Sequence, residues 1–160
     1  MKSKVYHKKN LETGGGNHYR TVTKVEVTIW KNHKGKEFFM SINVVNISEK
    51  FSLLKEQWAP KIIAQLNDYQ FKIAKIQGEF VWHSHPETDE VFLVVDGEMV
   101  IHLRDEELML KKGEMCVIPR GVEHKPAAAT ECQIMMVEPA GTLNTGDAGG
   151  DRTIEETTWI

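Results

Sequence analysis

An all-β sandwich or barrel is the fold class that this sequence predicts, from three observations. Short segments rich in Val, Ile, Phe and Met follow one another at close spacing from Trp58 to Pro139, turn-forming pairs separate them, and no stretch of that region sustains a helical period. With 160 residues and 41% hydrophobic content the chain can bury one substantial core, so a single domain is expected.

The elements follow in order. Residues 48–56 read as a short helical turn with Ser48 as its N-cap. Strands are predicted at residues 61–66 and 69–76, joined by an Asn67-Asp68 turn, and then at 80–84, 90–95, 98–104, 107–111, 115–118 and 131–138. Asp96-Gly97 carries a two-residue hairpin signal between the fourth and fifth of these. Pro119-Arg120-Gly121 reads as a turn, and His124 begins the strand beyond it.

The chemistry gathers in residues 78–97. His83 and His85 are two apart, so on a strand both imidazoles point to one face while Trp82 and Ser84 point to the other. Glu90 opens the next strand, across a short loop, and can reach the same point; His124 supplies a fourth candidate. Three imidazoles and a carboxylate converging on one interior suit a divalent ion. Glu87 and Asp89 flank Glu90 and are expected on the loop at the mouth. On strand parity Glu79 shares the face of His83 and is the candidate general acid or base. Lys75 shares that face too unless a bulge intervenes at Gly78. His102 alternates with Met99, Ile101 and Leu103 and is expected to point away from the interior.

Two blocks of this sequence resemble the paired motifs of the cupins. The first is Gly78, four residues where the family pattern has about five, His83-Ser84-His85, four residues, Glu90, six residues and Gly97. The second is Gly113, Pro119, Gly121 and His124, with Ala128 where the pattern has Asn. The resemblance spans about Trp58 to Pro139 and selects the jelly-roll barrel among all-β folds. It implies His83, His85, Glu90 and His124 as ligands of one divalent transition metal ion per chain, with Fe, Mn, Ni, Cu and Zn all admitted by the donor set. Four protein ligands leave one or two positions open for substrate, water or dioxygen.

The remaining composition bounds partners and compartment. No stretch approaches the roughly 20 apolar residues that span a bilayer, and the N-terminus lacks a signal-peptide core, so a soluble, cytoplasmic protein is expected, without a membrane partner. Cys116 and Cys132 lie in predicted core strands without metal-type spacing and read as buried free thiols. Residues 1–39 carry nine Lys or Arg against three Glu, while the rest of the chain is acidic. A nucleic-acid partner is not expected, because the acidic part repels phosphate. We read residues 1–39 as a leader or translated upstream sequence, with Val22 to Ile29 alternating like an added strand. Residues 40–57 then form an N-terminal segment, 58–139 the barrel and 140–160 a tail rich in Gly, Thr, Asn and Asp, docked so that Trp159 is covered. His7, His18 and His33 belong to the leader.

The function expected is that of a metal-dependent enzyme acting on a small polar molecule, of dioxygenase, isomerase, epimerase or decarboxylase type, in a homodimer. The alternative is a non-catalytic module that binds or senses a metal or small ligand. Ionisable groups inside the barrel beyond the four ligands, with Glu79 and Lys75 named first, favour the enzyme.

Overall fold

The computed structural model describes residues 24–31 and 37–160, with the side chains described from residue 42 onward. The chain divides into two compact units, residues 1–46 and 47–160. In the first, β1 (Lys24–Lys31) and β2 (Glu37–Asn43) form an antiparallel ribbon that pairs Lys24 with Asn43. Met40, the expected start of the functional chain, falls within β2 opposite Val27. His7, His18 and His33 lie outside the described residues.

The second unit is an all-β jelly roll. It comprises α1 (Ile47–Leu53), β3 (Lys61–Leu66), β4 (Tyr69–Glu79), β5 (Glu90–Asp96), β6 (Glu98–His102), β7 (Glu107–Lys111), β8 (Met115–Ile118) and β9 (Lys125–Pro139). One wall runs in the order β3-β4-β9-β5-β8, and β6 joins the other end of β9 and carries β7 beside it. β4 pairs along β9 from Ala127 to Pro139 and β5 with residues 133–137, while Lys125, Pro126 and Ala127 pair with β6. This one long strand therefore belongs to both walls. Alternate residues of each strand face inward: Ala74 and Ile76, Phe92 and Val94, Met99 and Ile101, Cys132 and Ile134 meet in one buried cluster. Ala128, where the cupin pattern has Asn, is 3% exposed in that cluster, so an apolar methyl suits its position.

Several expectations are corrected. Residues 80–84 do not form a strand; β4 runs on to Glu79 through a register shift between Ile76 and Gly78, and the segment that follows is held by a single bridge between His83 and His124. Asp96-Gly97 does not close a hairpin, because β5 pairs with β8 and β9 but not with β6. Gly97, at φ 84°, turns the chain from one wall to the other, and a Cβ there would stand 3.1 Å from the Glu131 carbonyl. The helix begins at Ile47, which places Ser48 inside its first turn rather than at the cap. Asn67-Asp68 does join β3 to β4 as a tight turn, with Asn67 at φ 53°. Cys132 is buried and Cys116 half-buried, both free. Burial, with Asp96 and Glu98 nearby, pushes the Cys132 thiol up to about 11.

The tail does dock. Ile62 N donates to the Thr158 carbonyl (3.0 Å) and Ile160 N to the Ile62 carbonyl (3.1 Å), so residues 158–160 run parallel beside β3. Lys61 Nζ also donates to Thr158 Oγ1 (3.1 Å), but Trp159 itself remains 58% exposed. Among the described residues no helix is long and apolar enough to cross a membrane.

Candidate metal centre

His83 and His85 stand on the irregular connection between β4 and β5, Glu90 opens β5 on its inner face, and His124 immediately precedes β9. The connection is tied across the barrel mouth: His83 N donates to the His124 carbonyl (3.0 Å) and His124 N to the His83 carbonyl (2.9 Å). All four side chains are buried, and one ligand atom from each lies within 4.8 Å of the others. The Nδ1 atoms of His83 and His124 each lie 3.0 Å from a backbone carbonyl, of Val81 and Val122. An Nδ1–H donated there leaves the Nε2 lone pair facing the centre, the tautomer that a metal ligand requires.

The inner atoms are near one another without being satisfied. Glu90 Oε2 is 3.2 Å from His85 Nε2 and 3.3 Å from His124 Nε2, yet all three atoms are buried without a hydrogen-bond partner. Leaving such atoms unpaired costs about 1–3 kcal/mol each. One cation would satisfy them together. Ligands at right angles around an ion with bonds of about 2.1 Å stand about 3.0 Å apart and opposite ones about 4.2 Å. The 3.2 and 3.3 Å separations of Glu90 Oε2 from His85 Nε2 and His124 Nε2 match adjacent ligands, whereas the full spread of 4.8 Å requires the four side chains to draw in slightly around an ion.

Protonation follows the same logic. Burial, with His124 beside it, pushes His83 down to about 4, so its imidazole is neutral at ordinary pH. Burial alone would raise Glu90, but the His124 and His85 imidazoles outweigh it and hold the carboxyl at about 2. Burial would also lower His85, yet the Glu90 carboxylate beside it prevails and raises it. The cluster thus offers an ionised carboxylate and a neutral His83.

The tail supplies a part of the site that sequence reasoning did not assign to it. Asp147 accepts from Ser84 N (2.7 Å) and Ser84 Oγ (2.9 Å), and its own N donates to the Ser84 carbonyl (3.0 Å). Ser84, between the two ligand histidines, is therefore clamped from outside. Gly146 makes the clamp possible: at φ +50°, a Cβ there would stand 2.1 Å from the Ser84 carbonyl oxygen and 3.2 Å from His85 Nδ1.

A second buried pair, Lys72 and Glu138, was also missed. Lys72 Nζ donates to Glu138 Oε1 (2.8 Å) and to the Thr142 carbonyl (3.1 Å), with both residues 2% exposed. Lys72 lies opposite Met136, and Gln70 opposite Glu138, so the pair meets diagonally on the inner face. Val91 opposite Val137 makes Glu90 and Glu138 neighbours on adjacent strands. Burial and then the Glu90 charge push Glu138 up to about 7, against the pull of Lys72. The signal was present as parity, since Glu138 continues the inward series Cys132, Ile134, Met136.

A cleft opens onto these groups. Its cavity is small, about 30 Å³, room for little more than a water molecule or two. His83, Glu90 and Glu138 line it together with Trp58, Phe80 and Phe92. Trp58 is held at φ 59°, outside the usual range for its type, by hydrogen bonds from its N to the Lys75 carbonyl and from Nε1 to the Gln77 carbonyl, both 2.8 Å. Its ring stacks on Phe80 at 4.9 Å, and Phe80 meets His83 edge-on at 5.5 Å.

Other expected residues fall elsewhere. Glu79 is not beside the cluster: its exposed carboxylate accepts from Lys125 Nζ (2.7 Å), because the register shift before Gly78 breaks the parity that would have turned it inward. Lys75 faces outward, 3.6 Å from Glu131. Asp89 lies on the exposed loop and accepts from Arg120 N (3.0 Å) and Nε (3.1 Å). His102 Nδ1 lies 2.9 Å from Glu107 Oε1, away from the interior. Trp82 also faces out, beneath the Arg104 guanidinium at 4.1 Å.

Known proteins share this arrangement of strands. The cupin domain profile matches residues 70–138. The protein YdbB of Bacillus subtilis (strain 168), itself uncharacterized, is 35% identical over 86 residues, which are 53% of this chain and 76% of YdbB. Among solved structures, a cupin-2 domain containing protein from Shewanella frigidimarina is 56% identical, with a TM-score of 0.60 over 60% of this chain and 94% of that one. Protein NMB1881 from Neisseria meningitidis is 30% identical, with a TM-score of 0.57 over 61% of this chain and all of its own.

Proposed function

The chain belongs to the cupin family, and from that premise we propose that it is a metal-dependent enzyme acting on a small polar molecule. One divalent transition metal ion, of Fe, Mn, Ni, Cu or Zn, would be held by His83, His85, Glu90 and His124. The observation that carries this reading is the convergence of three buried, unpartnered ligand atoms, on His85, Glu90 and His124. When bound, the ion would supply Lewis acidity or a redox centre to a substrate that reaches an open position.

The chain's own residues do the rest. The Val81 and Val122 carbonyls fix two imidazole tautomers, and the Asp147 clamp holds Ser84 so that His83 and His85 keep their angle. Trp58, Phe80 and Phe92 give the cleft apolar walls. A module that only stores or senses a metal needs no ionisable groups beyond its ligands. Lys72 and Glu138 inside the barrel favour the enzyme, in the place of the expected Glu79 and Lys75. Dioxygenase, isomerase, epimerase and decarboxylase chemistry all fit this donor set. The exposed Met115 and Val117 on edge strand β8 support pairing of two copies, which light scattering tests.

Elemental analysis of tag-free protein beside the triple variant His83→Ala, His85→Ala, His124→Ala tests the reading. About one transition metal ion per chain, absent from the variant, is expected. No metal in the parent protein after refolding with iron, manganese, nickel or zinc overturns it.

A further inference from the structure

The histidine cluster is shut away in this structure. His83, His85, Glu90 and His124 are all buried, and the cleft beside them has room for little more than a water molecule. An ion, and anything that joins it, therefore needs a way in, and one segment is built to swing. Residues 143–154 are knotted to themselves: Asn144 Nδ2 donates to the Arg152 carbonyl (2.9 Å), Ile154 N donates to Asn144 Oδ1 (2.8 Å), and the hydroxyls of Thr145 and Thr153 meet at 2.7 Å. Among the described residues, the buried apolar cluster draws nothing from 140–160. Polar bonds tie the knot to the barrel, namely the three between Asp147 and Ser84 and one from Arg152 Nη1 to the Glu79 carbonyl (2.7 Å). Segments secured in this way open at a lower free energy than the core.

We propose that residues 143–154 form a gate over the histidine cluster, latched by Asp147 on Ser84, that lifts to admit the ion and whatever the ion binds. Three observations support the gate. Gly146 rests against the site, where a Cβ would stand 3.2 Å from His85 Nδ1, so lifting the knot uncovers His85 first. A groove of about 300 Å³ already runs along that seam, with residues 85–88 on one bank and residues 139–143 with Gly146 on the other. Both ends of the segment are anchored: Lys72 Nζ holds the Thr142 carbonyl (3.1 Å) on the near side, and on the far side Ile62 N holds the Thr158 carbonyl (3.0 Å) and Lys50 Nζ the Ile160 main-chain oxygen (2.6 Å). The gate therefore moves as a loop between two fixed points, without unfolding the barrel.

The gate's purpose rests on the metal reading, but its test needs no metal, so either can fail without the other. The metal-free full chain is treated with diethyl pyrocarbonate, which modifies accessible imidazoles, and the rate at each histidine is read by peptide mass mapping. His102, on the outer face, is the internal reference. Asp147→Ala removes the latch and is expected to speed modification of His85 about tenfold while His102 keeps its rate. The double variant Ser84→Cys, Asp147→Cys, oxidised to a disulfide across the latch, is expected to slow His85 about tenfold relative to the same protein reduced. Val94→Ala weakens the core and leaves the latch intact, so it should leave His85 near the wild-type rate. An unchanged His85 rate in Asp147→Ala overturns the proposal, as do equal rates in the oxidised and reduced double variant. A Val94→Ala rate raised as far as that of Asp147→Ala also overturns it, because the histidines are then reached by global unfolding. Should Asp147→Ala fail to fold, the oxidised and reduced forms of the double variant decide alone.

Discussion

Two buried polar groups share the interior of this barrel and are satisfied in opposite ways. The histidine cluster crowds ligand atoms together with no hydrogen bond between them, whereas Lys72 and Glu138 close on each other at 2.8 Å. The first would be completed by a cation from outside. The second is complete within the chain except for one oxygen. The difference teaches how to read a buried charge: a pair that answers itself is satisfied without adding much net stability, and a group that does not points to a ligand.

The largest effect comes from breaking the self-sufficient pair. Lys72→Met strands the Glu138 carboxylate in the core and is expected to cost about 3–5 kcal/mol in urea denaturation. Removing both partners together with apolar residues should cost far less, which makes the double variant the control.

Acidity separates the two groups by sign. In metal-free protein, His83 is pushed down from 6.5 to about 4, so the unfolded chain binds the extra proton, and about 3 kcal/mol of stability is lost as pH falls through that window. Glu138 is pushed up from 4.5 to about 7, so the folded chain holds the extra proton, and a contribution of similar size is lost as pH rises through it. The two oppose each other between 4.5 and 6.5. Denaturation midpoints across pH should therefore fall with rising pH in His83→Ala and rise with it in Glu138→Gln.

Metal completes the comparison. Divalent ion at 100 times its dissociation constant should stabilise the wild type by about 2.7 kcal/mol, seen as a rise in Tm that a chelator reverses. The triple histidine variant should show no such rise. A smaller effect is expected at the clamp. Gly146→Ala drives a Cβ against the Ser84 carbonyl and should cost about 1–3 kcal/mol, with a metal affinity lowered because the connection that carries His83 and His85 loses its outer brace.

The two groups were unequally legible. His83, His85, Glu90 and His124 stand in motifs whose spacing survives in the linear chain, so they could be named together before any fold was known. Glu138 and Lys72 have no such spacing, being 66 residues apart, and an isolated charge on a strand reads as solvent-facing by default. Glu79 misled for a related reason: parity carried it inward, but the register shift between Ile76 and Gly78 reset the parity. Asp96-Gly97 has the composition of a hairpin turn and is a corner, because β9 offers the chain another partner on each side.

By itself the sequence determined the strand class, most strand positions and the identity of four ligand candidates, since period-two alternation, turn residues and motif spacing are local properties. Tertiary structure alone decided which charges meet inside. The β4–β9 register joins Lys72 to Glu138, the same β9 sets Glu138 beside Glu90, and a tail that reads as featureless braces the ligands through Asp147 and Gly146. Those contacts depend on the pairing of distant strands and on close approach between backbones, and neither is written in any single stretch of the chain.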